Sequence, residues 1–229
     1  MLANRHAIRV DLMDRHSDII AACKKLAADG MDRGASGNVS VRDGDKMMIT
    51  PSAVGCDVIQ PELIASMALA SKDGDCTEPN KPSSEWQFHS NILRAPPDIN
   101  AVVHTHAPYS TILSVAHKPI PAFHHIIVPF SGSDVRVCEY ARCGTVALSE
   151  KVLAAMDRRK ARLMAKQGMV VGEGDLTRAI WLAGELEALA HQYYHALNIG
   201  GGVVLSDAEI VETAKGFESY GVQSKEREN

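Results

Sequence analysis

The sequence lacks several features that would assign it to other classes of protein. No apolar stretch approaches the roughly 20 residues that a membrane span needs, and the N-terminal segment MLANRHAIRVDLMDRHSD has no apolar signal-peptide core. Basic residues are not in excess, because the formal net charge is −4 at pH 7 and no basic run of useful length occurs. We therefore expect a cytoplasmic protein that binds neither membranes nor nucleic acid.

Cysteine also lacks any pattern of pairing. The five cysteines are odd in number and widely spread, and the two nearest, Cys138 and Cys143, are separated by four residues. That spacing matches neither a CxxC redox motif nor a common zinc knuckle. We interpret the cysteines as reduced thiols.

What remains is the composition of an ordinary globular protein. The chain has 229 residues, of which 45% are hydrophobic and 23% are charged. It contains no internal repeats, linkers or low-complexity tracts. This length supports one large domain with a substantial core, so residues 1–229 are expected to form a single α/β domain.

Helical periodicity and capping residues predict five helices and the start of a sixth. Ser17 is a candidate N-cap and Gly30 a candidate stop for the first helix, Asp175 is a candidate cap for the longest, and Ser206 with Glu209 matches a capping box. The predicted helices cover residues 17–29, a segment opening after Pro82, 107–117, 149–157 and 175–199.

Short apolar segments predict the strands. NVSVR and KMMIT flank a DGD turn, AVVHTH is typical of a buried strand, and ARLMAKQGMVVGEG is interpreted as one strand ending in glycines. HKPIPAFHHIIVPFSG is predicted to be a loop that leads into a strand.

Two histidines at the end of AVVHTH are candidate metal ligands. In a strand, His104 and His106 project to the same face, about 6.5 to 7 Å apart at the backbone. Two such imidazoles can converge on one divalent ion, which then needs further ligands from elsewhere. Alone, this pattern is weak, because histidine pairs near strand ends are often unliganded.

Neighbouring motifs strengthen the metal interpretation. Glu85 stands at the start of a predicted helix, where a carboxylate can be a ligand, a general base, or simply a charge favoured by the helix terminus. GASGNVS, ITPS and PSS supply glycines, hydroxyls and backbone amides that suit a phosphate. Each motif by itself is also typical of a turn or a cap.

The order of these motifs resembles the class II aldolase/adducin family, and within it the L-fuculose-1-phosphate aldolases. The resemblance rests on GASGNVSVR, MMITPS, KPSSEWQFH, INAVVHTHA, PIPAFHH, RKARLMAKQGMVV and AIWLAGELEALAHQY, and it spans nearly the whole chain. It implies a three-layer α/β/α fold around a largely antiparallel central sheet. It also implies a cyclic homotetramer with active sites at the subunit interfaces.

The resemblance further implies a metal-dependent lyase that cleaves a small ketose phosphate, such as a fuculose 1-phosphate, by retro-aldol chemistry. A divalent cation, zinc by the family pattern, is held by His104 and His106 and stabilises the enediolate left after carbon–carbon cleavage. Glu85 would be the acid/base at the metal. The resemblance assigns the substrate phosphate to two loops, with Gly37 permitting a close backbone approach. The phosphate-binding residues are then Asn38, Ser52, Ala53, Ser83 and Ser84.

The chain departs from the family pattern at three positions. Gln167 stands where a late-strand histidine completes the metal site, and an amide oxygen is a poorer zinc ligand that suits a harder ion such as Mn²⁺. His125 replaces a tyrosine that reaches a neighbouring subunit's site. Ala53 replaces a glycine of the phosphate pocket. Tyr220 matches a C-terminal tyrosine that protonates the leaving aldehyde, although a tail aromatic packed on the surface is an equal alternative.

These departures leave other functions open. A decarboxylase of the same superfamily, acting on a keto or hydroxy-aryl acid, uses the same ion to stabilise an enolate. A pentulose-phosphate epimerase and an adducin-type structural module without metal are further alternatives. In an extended segment the side chains of His124 and His125 would face opposite ways, and the side chain of His125 is the one expected to point into an active site.

Overall fold

A seven-stranded sheet organises the structure, a computed structural model that describes residues 2–76, 81–95 and 98–218. In chain order the helices are α1 (Leu2–Ala28), α2 (Trp86–Arg94), α3 (Pro108–Val115), α4 (Val146–Met156), α5 (Leu176–Asn198) and α6 (Asp207–Glu218). The strands are β1 (Asn38–Asp43), β2 (Lys46–Ile49), β3 (Ala65–Ala68), β4 (Ala101–Thr105), β5 (Ile120–Pro121), β6 (Asp134–Val135), β7 (Val137–Cys138), β8 (Ala161–Met164) and β9 (Gly168–Glu173).

The sheet is mixed, with the strand order β3-β2-β1-β4-β9-β8-β7. Its neighbours pair antiparallel except β7 and β8, which are parallel. The predicted antiparallel character therefore holds for most of the sheet but not for its last pair. Strand β4 lies between β1 and β9, in a register that pairs Asn38 with His104 and Thr105 with Met169.

Helices cover both faces of the sheet. α1, α3 and α5 pack on one face, where alternate β4 residues such as Val103 are buried, and α2 and α4 pack on the other, which buries Val102. All five residues of β4 are buried. A strand that is covered on both faces has a continuous apolar sequence, which explains the AVV segment before the histidines.

Of the four predicted capping signals, three are confirmed and one is wrong. Gly30 adopts φ +73° just after α1, the carboxylate of Asp175 accepts from the N–H of Arg178 at 2.8 Å, and Ser206 and Glu209 form the reciprocal capping box. The predicted N-cap at Ser17 is wrong, because α1 begins at Leu2 and passes through that position. No helix in the described part of the chain is long and apolar enough to cross a bilayer.

The segment predicted as one strand over residues 161–174 is two strands joined by a tight turn. β8 and β9 pair with each other, and Lys166 in the turn has φ +63°. Gly168, at the start of β9, has φ +153°, and a Cβ there would lie 2.2 Å from the carbonyl oxygen of Thr105. The turn therefore packs directly against the end of β4.

The backbone is extended at His124, with φ −143° and ψ 144°, but it does not stay extended beyond that residue. His125 begins a 3-10 helix (His125–Phe130), and the Nδ1 atom of His124 accepts from the N–H of Ile126 at 3.2 Å. The two imidazoles stack with ring centroids 4.5 Å apart. The prediction that they face opposite ways is wrong, because helical backbone turns adjacent side chains by much less than a strand does.

Replacing Gly168 with alanine is expected to destabilise the protein by about 2 to 4 kcal/mol. The new Cβ must displace the backbone of β4 and adopt a φ that L-residues rarely take. Urea unfolding measures the change. Gly184→Ala in α5 is the matched control, since a Cβ there meets nothing within 4 Å and alanine favours a helix by about 0.5 to 1 kcal/mol. Equal stability of both variants would contradict the packing described.

Candidate active site

Helix α2 places Glu85 at the end of β4. The helix was predicted to open directly after Pro82, but it begins at Trp86, with Glu85 in the N-cap position. Phe88, Ile92 and Leu93 are buried on the helix face that contacts the sheet. Burial of each such side chain stabilises by about 1.5 to 3 kcal/mol. This packing holds the Glu85 carboxylate, which is only 4% exposed, in one position.

His104 is fully buried and its ring is oriented by the neighbouring strand. The Nδ1 atom lies 2.8 Å from the carbonyl oxygen of Met169 in β9. A carbonyl oxygen only accepts hydrogen bonds, so Nδ1 carries the ring proton and donates it. With the ring proton on Nδ1, Nε2 is the nitrogen left to bind a cation, as in metal-binding histidines with a carbonyl partner.

That Nε2 atom faces the carboxylate of Glu85. The Nε2–Oε2 distance is 3.2 Å, yet Nε2 has no hydrogen-bond partner among the described residues. Oε2 also accepts from Nδ2 of Asn38 at 2.9 Å. A lone pair and a carboxylate oxygen at this distance repel each other unless a proton or a cation lies between or beside them. The pair is therefore suited to a cation.

His106 lies one residue beyond β4 and on the same side as His104. The two ring centroids are 5.1 Å apart. Partial burial and the neighbouring His104 lower the pKa of His106. The neutral form that binds metals is therefore favoured at neutral pH.

Gln167 lies at the same end of the sheet and carries an amide oxygen of the kind that can bind a metal ion. Its Oε1 atom is buried and has no hydrogen-bond partner among the described residues. Gly168, the next residue, packs against Thr105 and His106. No three His, Cys, Asp or Glu side chains in the described ranges are arranged to hold a metal ion. The groups at this end of the sheet that could hold a divalent ion are therefore two imidazoles, the Glu85 carboxylate and the unpartnered amide oxygen of Gln167.

The loops predicted to bind phosphate lie side by side. The N–H of Ser52 donates to Lys81 at 3.1 Å, and the N–H of Ser83 donates to Thr50 at 3.0 Å. These two bonds bring Ser52 and Ala53 together with Ser83 and Ser84.

Ala53 keeps the backbone conformation of a glycine. Its φ is +58°, in the left-handed region that costs an L-residue about 1 to 2 kcal/mol. The close approach predicted at Gly37 is to the protein itself, because a Cβ there would lie 2.9 Å from the carbonyl oxygen of His104.

The sequence interpretation missed His89, which is fully buried one helical turn after Glu85. Burial, and then the neighbouring His104, lower the pKa of His89 well below its usual value. Its Nε2–H donates to Oδ1 of Asn38, and its Nδ1 accepts from the hydroxyl of Ser40 at 2.7 Å. Since Asn38 in turn donates to Glu85, these bonds orient the carboxylate. The i, i+4 spacing of Glu85 and His89 could have indicated a shared helix face.

Two other site residues were missed. The carboxylate of Asp32 accepts from the N–H of Gly37 and the hydroxyl of Ser36, both at 2.9 Å, which fixes the GASG loop. Cys143 lies 3.3 Å from Oε1 of Glu85, and partial burial and that carboxylate raise the pKa of its thiol. An aspartate before a glycine-containing turn is a recognisable signal, whereas nothing local marks Cys143.

One of the predicted catalytic residues, His125, is not brought into this arrangement. His125 is exposed, and its ring lies 6.1 Å from that of Phe217 in α6. Within the described ranges no contact joins His125 to His104, His106 or Glu85. Tyr220 lies outside the described residues.

Comparison with known proteins defines the class of the protein. The sequence pattern of the family described as Class II Aldolase and Adducin N-terminal domain matches residues 17–194. The chain belongs to this family, and it is an enzyme of the class II aldolase type.

Individual relatives are similar over almost their whole length. The 5-methylthioribulose-1-phosphate/5-deoxyribulose-1-phosphate aldolase of Rhodospirillum rubrum is 41% identical, with 96% of each chain covered. The L-fuculose phosphate aldolase of Escherichia coli K12 is 39% identical, covering 91% of this chain and 96% of that one. A solved L-fuculose 1-phosphate aldolase superposes with a TM-score of 0.85 at 36% identity, covering 90% of this chain and 96% of that one.

Because its folded-state pKa is depressed, His89 makes stability depend on pH. Above the unfolded-state pKa of about 6.5, the His89 side chain is neutral in both the folded and the unfolded protein. Below it the unfolded chain binds a proton that the folded chain rejects, so stability falls by about 1.4 kcal/mol per pH unit. Urea unfolding of chelator-treated protein at pH 6.5 and 5.5 should show that His89→Gln removes this slope. His195→Gln, at an exposed position of α5, should retain it. An unchanged slope in His89→Gln would refute a buried neutral His89.

Proposed function

We propose that this enzyme cleaves a ketose 1-phosphate by a retro-aldol reaction that depends on a divalent cation bound at His104, His106 and Gln167. The observation that carries the proposal is the buried Nε2 atom of His104, which lies 3.2 Å from Oε2 of Glu85 without a hydrogen-bond partner among the described residues. Both relatives named above are aldolases of phosphorylated ketoses. A shared site at the end of β4 accounts for this chemistry.

The donor set fits a divalent ion, with zinc as the expected metal and Mn²⁺ as the alternative. Zinc prefers imidazole and thiolate, whereas an amide oxygen at Gln167 suits a harder ion. When bound, the cation supplies positive charge to the carbonyl and hydroxyl oxygens of the substrate. His104 and His106 contribute their neutral nitrogen atoms, and Gln167 contributes its orphaned Oε1.

Glu85 is the residue to which we assign proton transfer. Its Oε2 atom is held by Asn38 and faces His104, so Oε1 is the oxygen turned away from the metal ligands. In cleavage, the carboxyl group returns a proton to the carbon atom that loses its bond. In the reverse direction the carboxylate removes that proton. His89 and Asn38 hold the carboxylate in the required orientation.

The paired loops are the proposed phosphate site. Ser52, Ser83 and Ser84 offer hydroxyls, Ala53 offers a backbone amide, and Asn38 lies at the start of β1 beside them. Such a cluster of backbone and hydroxyl donors binds anions without a charged side chain. Binding of the phosphate there would place the ketose carbonyl towards the histidines.

We also propose that residues 1–229 form one domain of a cytoplasmic homotetramer. His125 is exposed, and the adjoining segment exposes Ile199 (86%) and Val203 (92%). The N–H of Leu205 donates to Ala122 at 2.7 Å, so this segment lies beside His125. An exposed apolar surface next to His125 suits a subunit contact that brings it to a neighbouring site. Tyr220 is proposed to assist by removing the hydroxyl proton from the oxygen that becomes the aldehyde carbonyl, and by returning that proton in the reverse direction.

The function is tested by metal analysis followed by a substrate panel. We expect about one divalent ion per chain, and metal-dependent release of aldehyde from 5-deoxyribulose 1-phosphate, 5-methylthioribulose 1-phosphate or fuculose 1-phosphate. His104→Ala should abolish both bound metal and turnover. Glu85→Gln should keep the metal but lower the rate by about 10² or more, the usual scale for a general acid/base.

Three results would contradict this assignment. Carbon dioxide release from a keto or hydroxy-aryl acid, without aldehyde release from any ketose phosphate, would favour a decarboxylase. Full activity of metal-free His104→Ala would exclude the metal site. A loss of only a few fold in Glu85→Gln would make that carboxylate structural.

Gln167→His is expected to tighten zinc binding. Imidazole is a better zinc donor than an amide oxygen, and the position lies beside the other two ligands. Competition with a chromogenic chelator at one pH compares the wild-type and variant affinities. Gln87→His, a substitution on helix α2, is a matched control for adding a histidine. Equal zinc affinity of Gln167→His and wild type would show that the turn between β8 and β9 contributes no ligand.

A further inference from the structure

The loop between β7 and α4 lies on the turn that carries Glu85. Gly144 in this loop has φ +71°, and a Cβ there would come within 3.1 Å of the carbonyl oxygen of Ser84. The hydroxyl of Thr145 then caps α4 by accepting from the N–H of Leu148 at 3.2 Å. The close packing at Gly144 and the cap at Thr145 thus fix the position of the preceding residue, Cys143.

Cys143 contacts the oxygen of Glu85 that the other residues leave open. Its Sγ atom lies 3.3 Å from Oε1 of Glu85 and 4.0 Å from the hydroxyl of Ser84. An ionised carboxylate has no proton to give, so the thiol is the donor. Cys143 is exposed, while Cys23, Cys56 and Cys138 are buried and Cys76 is half-buried. This thiol therefore borders the space in front of the carboxylate.

The two oxygens of Glu85 thus have different partners. Oε2 accepts from Asn38 at 2.9 Å on the metal side, and Oε1 accepts from Cys143. A carboxylate held only through Oε2 could still rotate about its terminal torsion, because that torsion is broad. A second bond at Oε1 removes this freedom. A thiol is a weak hydrogen-bond donor, so its bond to Oε1 breaks readily when Oε1 exchanges a proton.

We infer that Cys143 is a positioning residue that aims Oε1 of Glu85 at the reacting carbon through an S–H···O hydrogen bond. This inference rests on the proposed acid/base role of Glu85. It assigns Cys143 no contact with the metal and no covalent step.

Kinetics of two substitutions test the inference. Cys143→Ala should lower kcat about tenfold, since a hydrogen bond to a charged group is worth about that factor, and KM should change less than about twofold. Cys143→Ser keeps a donor and should remain within about threefold of wild type in kcat. A selective loss of kcat is the signature of an interaction that matters in the transition state. Cys76→Ala, at a half-buried cysteine between other elements, is the matched control and should not change kcat.

Three kinetic outcomes would overturn the inference. They are an unchanged kcat in Cys143→Ala, an equal loss in the alanine and serine variants, and an effect confined to KM. Bound metal and thermal stability are measured alongside, because both should be unchanged in a positioning variant.

Infrared spectroscopy tests the hydrogen bond without any assay of activity. Subtracting the spectrum of Cys143→Ala isolates the S–H stretching band of this thiol. The band should shift to higher frequency in Glu85→Ala, which removes the acceptor. An unshifted band would overturn the inference even if the enzyme is an aldolase. A shifted band in a protein that cleaves no ketose phosphate would support the contact while refuting the proposed function.

Discussion

The site depends above all on the ring proton of His104. Its Nδ1–H is committed to the carbonyl oxygen of Met169 across the sheet, at 2.8 Å. This bond fixes the orientation of the ring, and so it points Nε2 at Glu85 at a buried position. Because the carboxylate beside it is also an acceptor, the arrangement is stable only with a positive charge or a proton nearby. The other hydrogen bonds in the site support this arrangement of His104 and Glu85.

Strand pairing brings the remaining groups to the same end of the sheet. β4 is the central strand, and its register places Asn38 opposite His104 on one side and the β8–β9 turn beyond Thr105 on the other. Two glycines allow these close approaches: a Cβ at Gly37 or Gly168 would collide with the backbone of His104 or Thr105. Asn38 links the strand to Glu85, and His89 and Ser40 complete the chain of hydrogen bonds. These bonds hold Oε2 of the Glu85 carboxylate from the core of the protein.

Much of the secondary structure was predictable, and the errors have identifiable causes. The apolar face of α5 and its cap at Asp175 are local signals, so that helix was predicted within one residue at each end. The turn at Lys166 was missed, because a lysine in the left-handed region carries no turn signature and the segments LMA and MVV on either side are apolar. His124 and His125 were misjudged for a similar reason, since a 3-10 helix there depends on packing against α5 and α6.

Residue types and their order determined by themselves the class of fold, the family and the chemical groups of the proposed site: two imidazoles, a carboxylate and two loops with hydroxyl groups and backbone amides. Those properties follow from side-chain chemistry and local spacing. Only the tertiary structure decided which atom of each group is available. It placed Cys143 beside the Glu85 carboxylate, His89 against Asn38, and Asp32 against the GASG loop. The reason is physical: bonds such as Asn38 to Glu85 and Cys143 to Glu85 join residues far apart in the chain, and sheet register and helix packing set their geometry.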